Sequence, residues 1–501
     1  MSPLARPFSR RLFLRSTGLG AVGVALVGGG VVIDRGVQLL TAAPRPPAAQ
    51  GPSIAPYRSR PDLLPPPISI TVSGPAAPGY IFLTPANGQV KNGPLIIDDQ
   101  GELVWMRPDK DMEATNLRVA MYRGQPVLTW WQGDGLVGYG HGEYIVADAT
   151  YRHIATVKAT GGYFGDLHDF VLTPQGTGLM TIFGDTVGGV PTYRGLAHGP
   201  LIEGVVQEID VATGDQVFQW RSSDHVPSSE SYLAVPKGPG EAYDYFHINS
   251  VDEAGDGDLL VSARHTWCVY KIRRTTGEVV WRLGGTRSDF RLGPGVRFAW
   301  QHDARHQEDG TLSIFDDGAH GPPPQFEKVS RGIVLRLDEA AGRASLVRAY
   351  SHPDILAASQ GSMQVLDDGH AFLGWGNVAA FTEYDADGTI VVDGTFPGAG
   401  SYRAFRFPWV GRPADPPDIA VVPRGDGIRA VYASWNGATE ATDWQLLVGE
   451  AADSLTPLAS SPREGFETAF GTRSTARLAA VRALGSDGAV LGTSKPVDLA
   501  G

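Results

Sequence analysis

Three histidines, His168, His247 and His302, stand at the same place in a recurring strand-turn-strand frame. The segments run HDFVLTPQGTGLMTIF from His168, HINSVDEAGDGDLLVSAR from His247 and HDARHQEDGTLSIFDDG from His302. Imidazole is neutral for much of its population near pH 7, so it can attack an electrophile, carry a proton or ligate a metal. Asn249 follows His247 closely, and Arg264 ends the second strand of the same frame in LLVSARH. A guanidinium buried among imidazoles requires an anion, which makes an oxyanion ligand the natural occupant. A zinc site of three histidines is the competitor. Asp169 and Asp303 adjoin two of the histidines, but no carboxylate is placed as a required fourth ligand, and the arginine opposes a cation. No metal is expected. His265 follows Arg264 directly, so strand alternation sends its side chain to the opposite face and leaves it out of the site. His153, His198, His352 and His370 read as structural or surface residues.

The elements that would gather these side chains repeat. Two further segments fit the first frame without a histidine, LRVAMYRGQPVLTWW from Leu117 and QGSMQVLDDGHAFLGWG from Gln360. A second hairpin pattern, strand, Asp/Gly turn and strand, recurs near Asp98, Asp148, Asp210, Ile272, Asp338 and Asp385, at spacings of 50, 62, 62, 66 and 47 residues. Its DxxTG and DxDG turns have a mechanism, since Gly reaches φ > 0 without steric cost. Helical periodicity is nearly absent. Six hairpins predict an all-β chain built on a six-bladed β-propeller, in which equivalent positions of the innermost strands point at one axis. An array of β-sandwiches with coincidental hairpins is the alternative.

With 501 residues the chain has room for a large core and a second folded unit. The formal charge of -12 and the lack of a Lys/Arg run inside the repeats argue against nucleic acid as a partner. Cys268 is the sole cysteine, which excludes an intrachain disulfide and a Cys-rich metal site. Residues 1–43 carry SRRLFLR from Ser9, then an apolar stretch from Gly18 to Ile33, the pattern of a twin-arginine export signal. The apolar stretch is shorter than a spanning helix needs, but the cleavage site is poor, so uncleaved tethering to a membrane stays open. Export to the cell envelope or beyond is the expectation. Residues 44–67 are Pro-rich and read as an extended linker. Residues 68–412 would form the propeller. VGRPADPPD marks a boundary, and residues 413–501 read as a separate unit with, from Ile419 onward, short alternating strands with Asn-Gly and Ser-Asp-Gly turns, Trp435 and Trp444, and no histidine, suggesting a small accessory sandwich of fibronectin type III or immunoglobulin-like character.

DYFHINSV, SARH, WRLGG and FAWQHDAR resemble segments of the bacterial arylsulfotransferases, the PAPS-independent aryl sulfate sulfotransferases, and most closely their actinobacterial and fungal-type branch. The resemblance extends over about residues 79 to 410, through GYIFLTP, GPLIIDDQGELVW, PVLTWWQG and SRGIVLRLD. It implies a six-bladed propeller and transfer of a sulfuryl group from a phenolic sulfate ester to a phenolic acceptor, both small molecules, with no cofactor. His302 resembles the nucleophile that takes the sulfuryl group. His247, Asn249, Arg264 and His168 resemble the groups that hold the sulfate oxygens and handle the phenol proton. The chain departs from the family in one respect: some members carry a disulfide near the site, and this one cannot. No Gly-rich phosphate loop leads into a helix, in keeping with a donor that is not a nucleotide. The rival from another class is a secreted propeller that binds anionic aromatics or glycans without catalysis, with Trp130, Trp131 and Trp300 serving recognition or simply core packing. A quinone-dependent propeller dehydrogenase is a third possibility, but the chain has no vicinal cysteine pair and nothing in it demands a quinone.

Overall fold

A computed structural model describes residues 57–499 except 87–92, 109–110, 137, 186–199, 239–240, 321–326, 399 and 426. The export-signal pattern, residues 44–56 and His198 lie outside the described residues. All described residues belong to one compact unit, and none of their helices is long and apolar enough to cross a membrane.

Both repeat patterns become antiparallel hairpins. The frame from Leu117 lies in the pair Glu113–Tyr122 and Gln125–Gly135. Phe170–Leu172 pairs with Thr177–Asp185, Ile248–Glu253 with Leu259–Ala263, His302–His306 with Leu312–Asp316, and Ser362–Val365 with Ala371–Gly374. The Asp/Gly hairpins extend these outward, giving sheets 2 to 6 in chain order, each of four strands, with Tyr243–Asp244 added to sheet 3, Arg291–Leu292 to sheet 5 and Ser69–Val72 to sheet 6. Sheet 1 is assembled from both ends of this region. Tyr80–Ala86, Leu95–Ile97 and Leu103–Met106 are joined by Gly400–Phe407, which runs antiparallel to Tyr80–Ala86.

The apolar faces of these sheets have nowhere to go but onto one another, and burying them is the main drive for the arrangement. Six clusters result, each shared by neighbouring sheets. Phe82 and Ile96 meet Leu128 and Ile145 between sheets 1 and 2. Trp131 and Tyr144 meet Met180 and Val205 between sheets 2 and 3. Leu179 and Val206 meet Val261 and Tyr270 between sheets 3 and 4. Leu260 and Val269 meet Ile314 and Ile333 between sheets 4 and 5, and Phe315 and Tyr350 meet Leu373 and Trp375 between sheets 5 and 6. The sixth cluster joins Phe372 and Phe381 of sheet 6 back to Ile81 and Leu95 of sheet 1, so the packing closes into a ring.

Two smaller sheets follow. Asp418–Gly425, Ile428–Ser434 and Glu467–Thr472 form one, and strands from Asp443–Gly449 to Val497–Asp498 form the other. They share a core around Val431, Trp444, Phe470 and Val481. Asn436 caps the edge strand Leu103–Met106: its Oδ1 accepts from the Met106 N–H at 3.0 Å and its Nδ2 donates to the Met106 carbonyl at 2.9 Å. Such capping satisfies groups that would otherwise template a foreign strand. The last part of the stretch read as a linker is packed rather than extended free. Ser59 N–H donates to Glu467 at 2.7 Å, and Leu63 is fully buried.

At the centre of the ring, Asp169 (0 % exposed) accepts from Arg118 at 2.8 Å, Arg305 at 2.9 Å, Arg403 at 2.7 Å and the Val251 N–H at 2.9 Å. Burial alone would raise its carboxyl, but Arg305, Arg403 and Arg118 hold it far below the usual range. Removing one partner of such a network leaves uncompensated buried charge. Asp169→Asn is therefore expected to cost at least about 3 kcal/mol of unfolding free energy in a denaturant titration; a loss under about 1 kcal/mol would contradict the assignment.

Candidate functional site

His168, His247 and His302 are drawn together inside the ring. The His168 and His247 ring centroids are 5.1 Å apart and mutually perpendicular, and Tyr402 lies 5.3 Å from His168 and 6.3 Å from His302. Local backbone distortion aims them. His247 itself sits at φ 54°, while Trp300 and Asp303, which flank His302 in sequence, sit at 60° and 53°. Non-glycine residues in this region cost about 1–3 kcal/mol each and persist only when surroundings fix them. Ladder irregularities at Ile248/Ser250 and His302/Arg305 accompany the distortion and re-aim side chains at the strand entrances.

The fixing groups are carboxylates. His168 Nδ1 meets Asp166 Oδ2 at 2.5 Å, His247 Nδ1 meets Asp244 Oδ2 at 2.5 Å, and His302 Nδ1 meets Asp317 Oδ2 at 2.7 Å. Asp166 and Asp244 also accept the backbone N–H of their own histidines at 2.9 and 3.0 Å, locking ring and main chain together. With Nδ1–H given to the carboxylate, each neutral imidazole carries its lone pair on Nε2. The Nε2 of His302 accepts the Gln360 N–H at 3.3 Å, longer than an ordinary N–H···O or N–H···N contact. Burial, reinforced by Arg264, His168 and His247, pushes the His302 pKa well below 6.5, and burial with His168 and Arg264 does the same for His247.

Arg264 (5 % exposed) sits beside them. Its Nη1 donates to His265 Nε2 at 3.2 Å, and its Nη2 donates to His320 Nδ1 and to the Ala358 carbonyl, both at 2.9 Å. The guanidinium lies 5.0 Å from the Trp300 ring centroid, with His320 stacked on the same indole at 4.3 Å. Arg264 Nε is buried with no partner among the described residues.

Asn249 takes a different place from the other expected site residues. It is fully buried, and its Nδ2 donates to the Gln301 carbonyl at 2.6 Å, holding the peptide that enters His302. Asn116 does the equivalent for His168, donating to the Leu167 and His168 carbonyls at 2.7 and 2.9 Å.

The expectation for His265 fails. The strand ends at Ala263, so alternation no longer governs the turn that carries Arg264 and His265. The His265 ring lies 4.5 Å from His247 and its Nδ1 donates to the Asp244 carbonyl at 2.6 Å. Asp244, His247 and His265 also bring ligand-type atoms within 4.8 Å of one another, a carboxylate grouping that the sequence did not disclose. Those atoms are engaged in the Asp244–His247 bond and the His265 contacts, and Arg264 adjoins them. Asp169 and Asp303 are committed elsewhere: Asp169 to its three arginines, and Asp303 to Arg305 at 2.8 Å and the Met363 N–H at 3.1 Å.

The family model described as Arylsulfotransferase (ASST) matches residues 118–397. The chain therefore belongs to the arylsulfotransferase family, whose substrates are small aryl molecules. No curated protein matches it. Among solved structures, similar chains include a protein of unknown function from Bacteroides caccae, 13% identical, covering 66% of this chain and 100% of that one at a TM-score of 0.40. A virginiamycin B lyase from Staphylococcus aureus with quinupristin is 7% identical, covering 74% and 97% at a TM-score of 0.34.

Because His302 resists protonation, kcat/KM for an aryl sulfate, which reports free-enzyme ionisations, is expected to stay level as pH falls through 6.5. An acid limb with its midpoint at 6.5 would show an imidazole in ordinary solvent.

Proposed function

We propose that the protein is an aryl sulfate sulfotransferase that moves a sulfuryl group from a phenolic sulfate ester to a phenolic acceptor through a sulfohistidine at His302, without PAPS or any other cofactor. The observation that carries this reading is the set of three imidazoles whose Nδ1 atoms are held by carboxylates, beside a buried guanidinium whose Nε has no partner among the described residues. His302 Nε2 attacks sulfur in line, the N–S bond forms, and the S–O bond to the phenol breaks. Asp317 stabilises the positive charge that develops on the His302 ring, and Arg264 faces the charge spread over the equatorial oxygens. The phenolate departs as the anion, and His247 or His168, neutral with Nε2 free to accept, takes the proton of the attacking acceptor phenol and releases it to solvent, where it balances the phenolate set free.

In this reading the six ring-packed sheets are the blades of a six-bladed propeller spanning residues 68–412. The two following sheets are a fibronectin type III or immunoglobulin-like accessory domain. Export by the twin-arginine route, with or without a retained membrane tether, fits the N-terminal pattern.

The Gln360 N–H on His302 Nε2 favours one rival, a propeller that binds anionic aromatics or glycans without turnover, since it occupies the nucleophile's lone pair. Incubation with p-nitrophenyl sulfate and phenol separates the two. The expected result is p-nitrophenolate release with sulfated phenol as product, ping-pong kinetics, and no turnover in His302→Ala. Saturable binding of the ester with no transfer would support the rival instead.

Arg264→Lys should not rescue the site, because a point charge cannot reproduce the planar donor pattern. A loss of about 100-fold to 1000-fold in single-turnover rate at unchanged melting temperature is expected. A normal rate in a destabilised protein would remove Arg264 from the site.

A further inference from the structure

The three imidazoles by themselves offer a sulfuryl group no hydrogen-bond donor. Each gives Nδ1 to a carboxylate, so in the neutral state each Nε2 is an acceptor, that of His302 already facing the Gln360 N–H at 3.3 Å. A sulfuryl group presents oxygens, which are also acceptors. The pocket must therefore supply donors from side chains other than neutral imidazoles, and Arg264 is one. Among the described residues, one further buried side chain within the histidine cluster carries an O–H with no partner, Tyr402.

Tyr402 stands on Gly400–Phe407, the strand that closes sheet 1. It is 6 % exposed, and its ring meets His168 and His302 at near-perpendicular angles, 86° and 73°. The Arg403 guanidinium lies 5.3 Å from its ring centroid and helps hold it in place. Burial pushes the phenol pKa well above 10, Arg403 opposing, so the group stays protonated and available as a donor. A buried hydroxyl left unpaired costs about 1–3 kcal/mol, a penalty that Phe in the same space would avoid.

We propose that the Tyr402 hydroxyl donates a hydrogen bond to an oxygen of the sulfuryl group while His302 attacks, making Tyr402 a further catalytic residue of this site. The inference rests on the sulfotransfer reading above. It assigns no proton transfer to Tyr402, whose O–H stays intact through both half-reactions.

Tyr402→Phe provides the test, with three measurements on one preparation: melting temperature, binding of inorganic sulfate by calorimetry, and single-turnover release of p-nitrophenolate. The expected result is a melting temperature equal to or above that of the parent, since an unsatisfied polar group has been removed. Sulfate binding should weaken several-fold, and the single-turnover rate should fall about 100-fold. A parent-like rate and sulfate affinity in the variant would overturn the proposal, and so would a lowered melting temperature with turnover per folded molecule unchanged, because both would make the hydroxyl structural. If the parent protein binds sulfate but transfers nothing, the sulfotransfer reading fails on its own; weaker sulfate binding by Tyr402→Phe would then still place the hydroxyl on an oxyanion, and equal binding would remove it.

Discussion

The structure depends on a buried charge cluster at the axis of the ring. Asp169 enters from sheet 3, Arg118 from sheet 2, Arg305 from sheet 5 and Arg403 from the closing strand of sheet 1, while Asp169 also takes the Val251 N–H of sheet 4. Asp303 completes the circuit by accepting the Met363 N–H of sheet 6. Every sheet of the ring thus touches this cluster. The apolar contacts between sheets are non-directional and would tolerate small slips, whereas bonds from three guanidiniums to one carboxylate fix each inner strand in register. The net gain in stability from buried ion pairs is small, and their value here lies in the positions that they impose.

Those positions matter because the histidines precede the cluster's acids in the chain. His168 is followed by Asp169 and His302 by Asp303, so anchoring the carboxylates anchors the backbone from which the imidazoles project. Asn116 and Asn249 add a second constraint from the preceding sheet, each holding a carbonyl at the histidine of the next. The carboxylates on Nδ1 then set tautomer and direction. Burial with a nearby guanidinium keeps His302 and His247 neutral. A neutral imidazole backed by a carboxylate is a better nucleophile than one free in solvent, since the charge it acquires on attack is already met.

Much of this ring could be read from the chain. The Asp/Gly turns specify hairpins locally, and all six appear where the repeats place them. His168, His247 and His302 could be singled out in the chain because they recur in frame, and Arg264 because it closes the second strand of the His247 unit. The closing strand was not, since Gly400–Phe407 finds its partner more than 300 residues away and nothing local marks the pairing. Asp166 and Asp244 had a signal, an acid two or three residues before the histidine in GDLH and DYFH, whereas Asp317 lies 15 residues after His302 and has none. His265 was misplaced because alternation was extended beyond Ala263, where the chain turns and Trp267 adopts φ 50°. His320 and Tyr402 stand outside any repeat frame, and an aromatic in a strand reads as core.

The central claim is that one imidazole, held neutral and pointed by Asp317, receives the transferred group. Rapid acid-free quenching of the protein with p-nitrophenyl sulfate in the absence of acceptor, followed by peptide mapping under alkaline conditions, locates that group most directly. The account requires a single sulfuryl modification on the peptide bearing His302, which disappears when phenol is added. A modification on His168 or His247, or free sulfate with no labelled peptide, would contradict it.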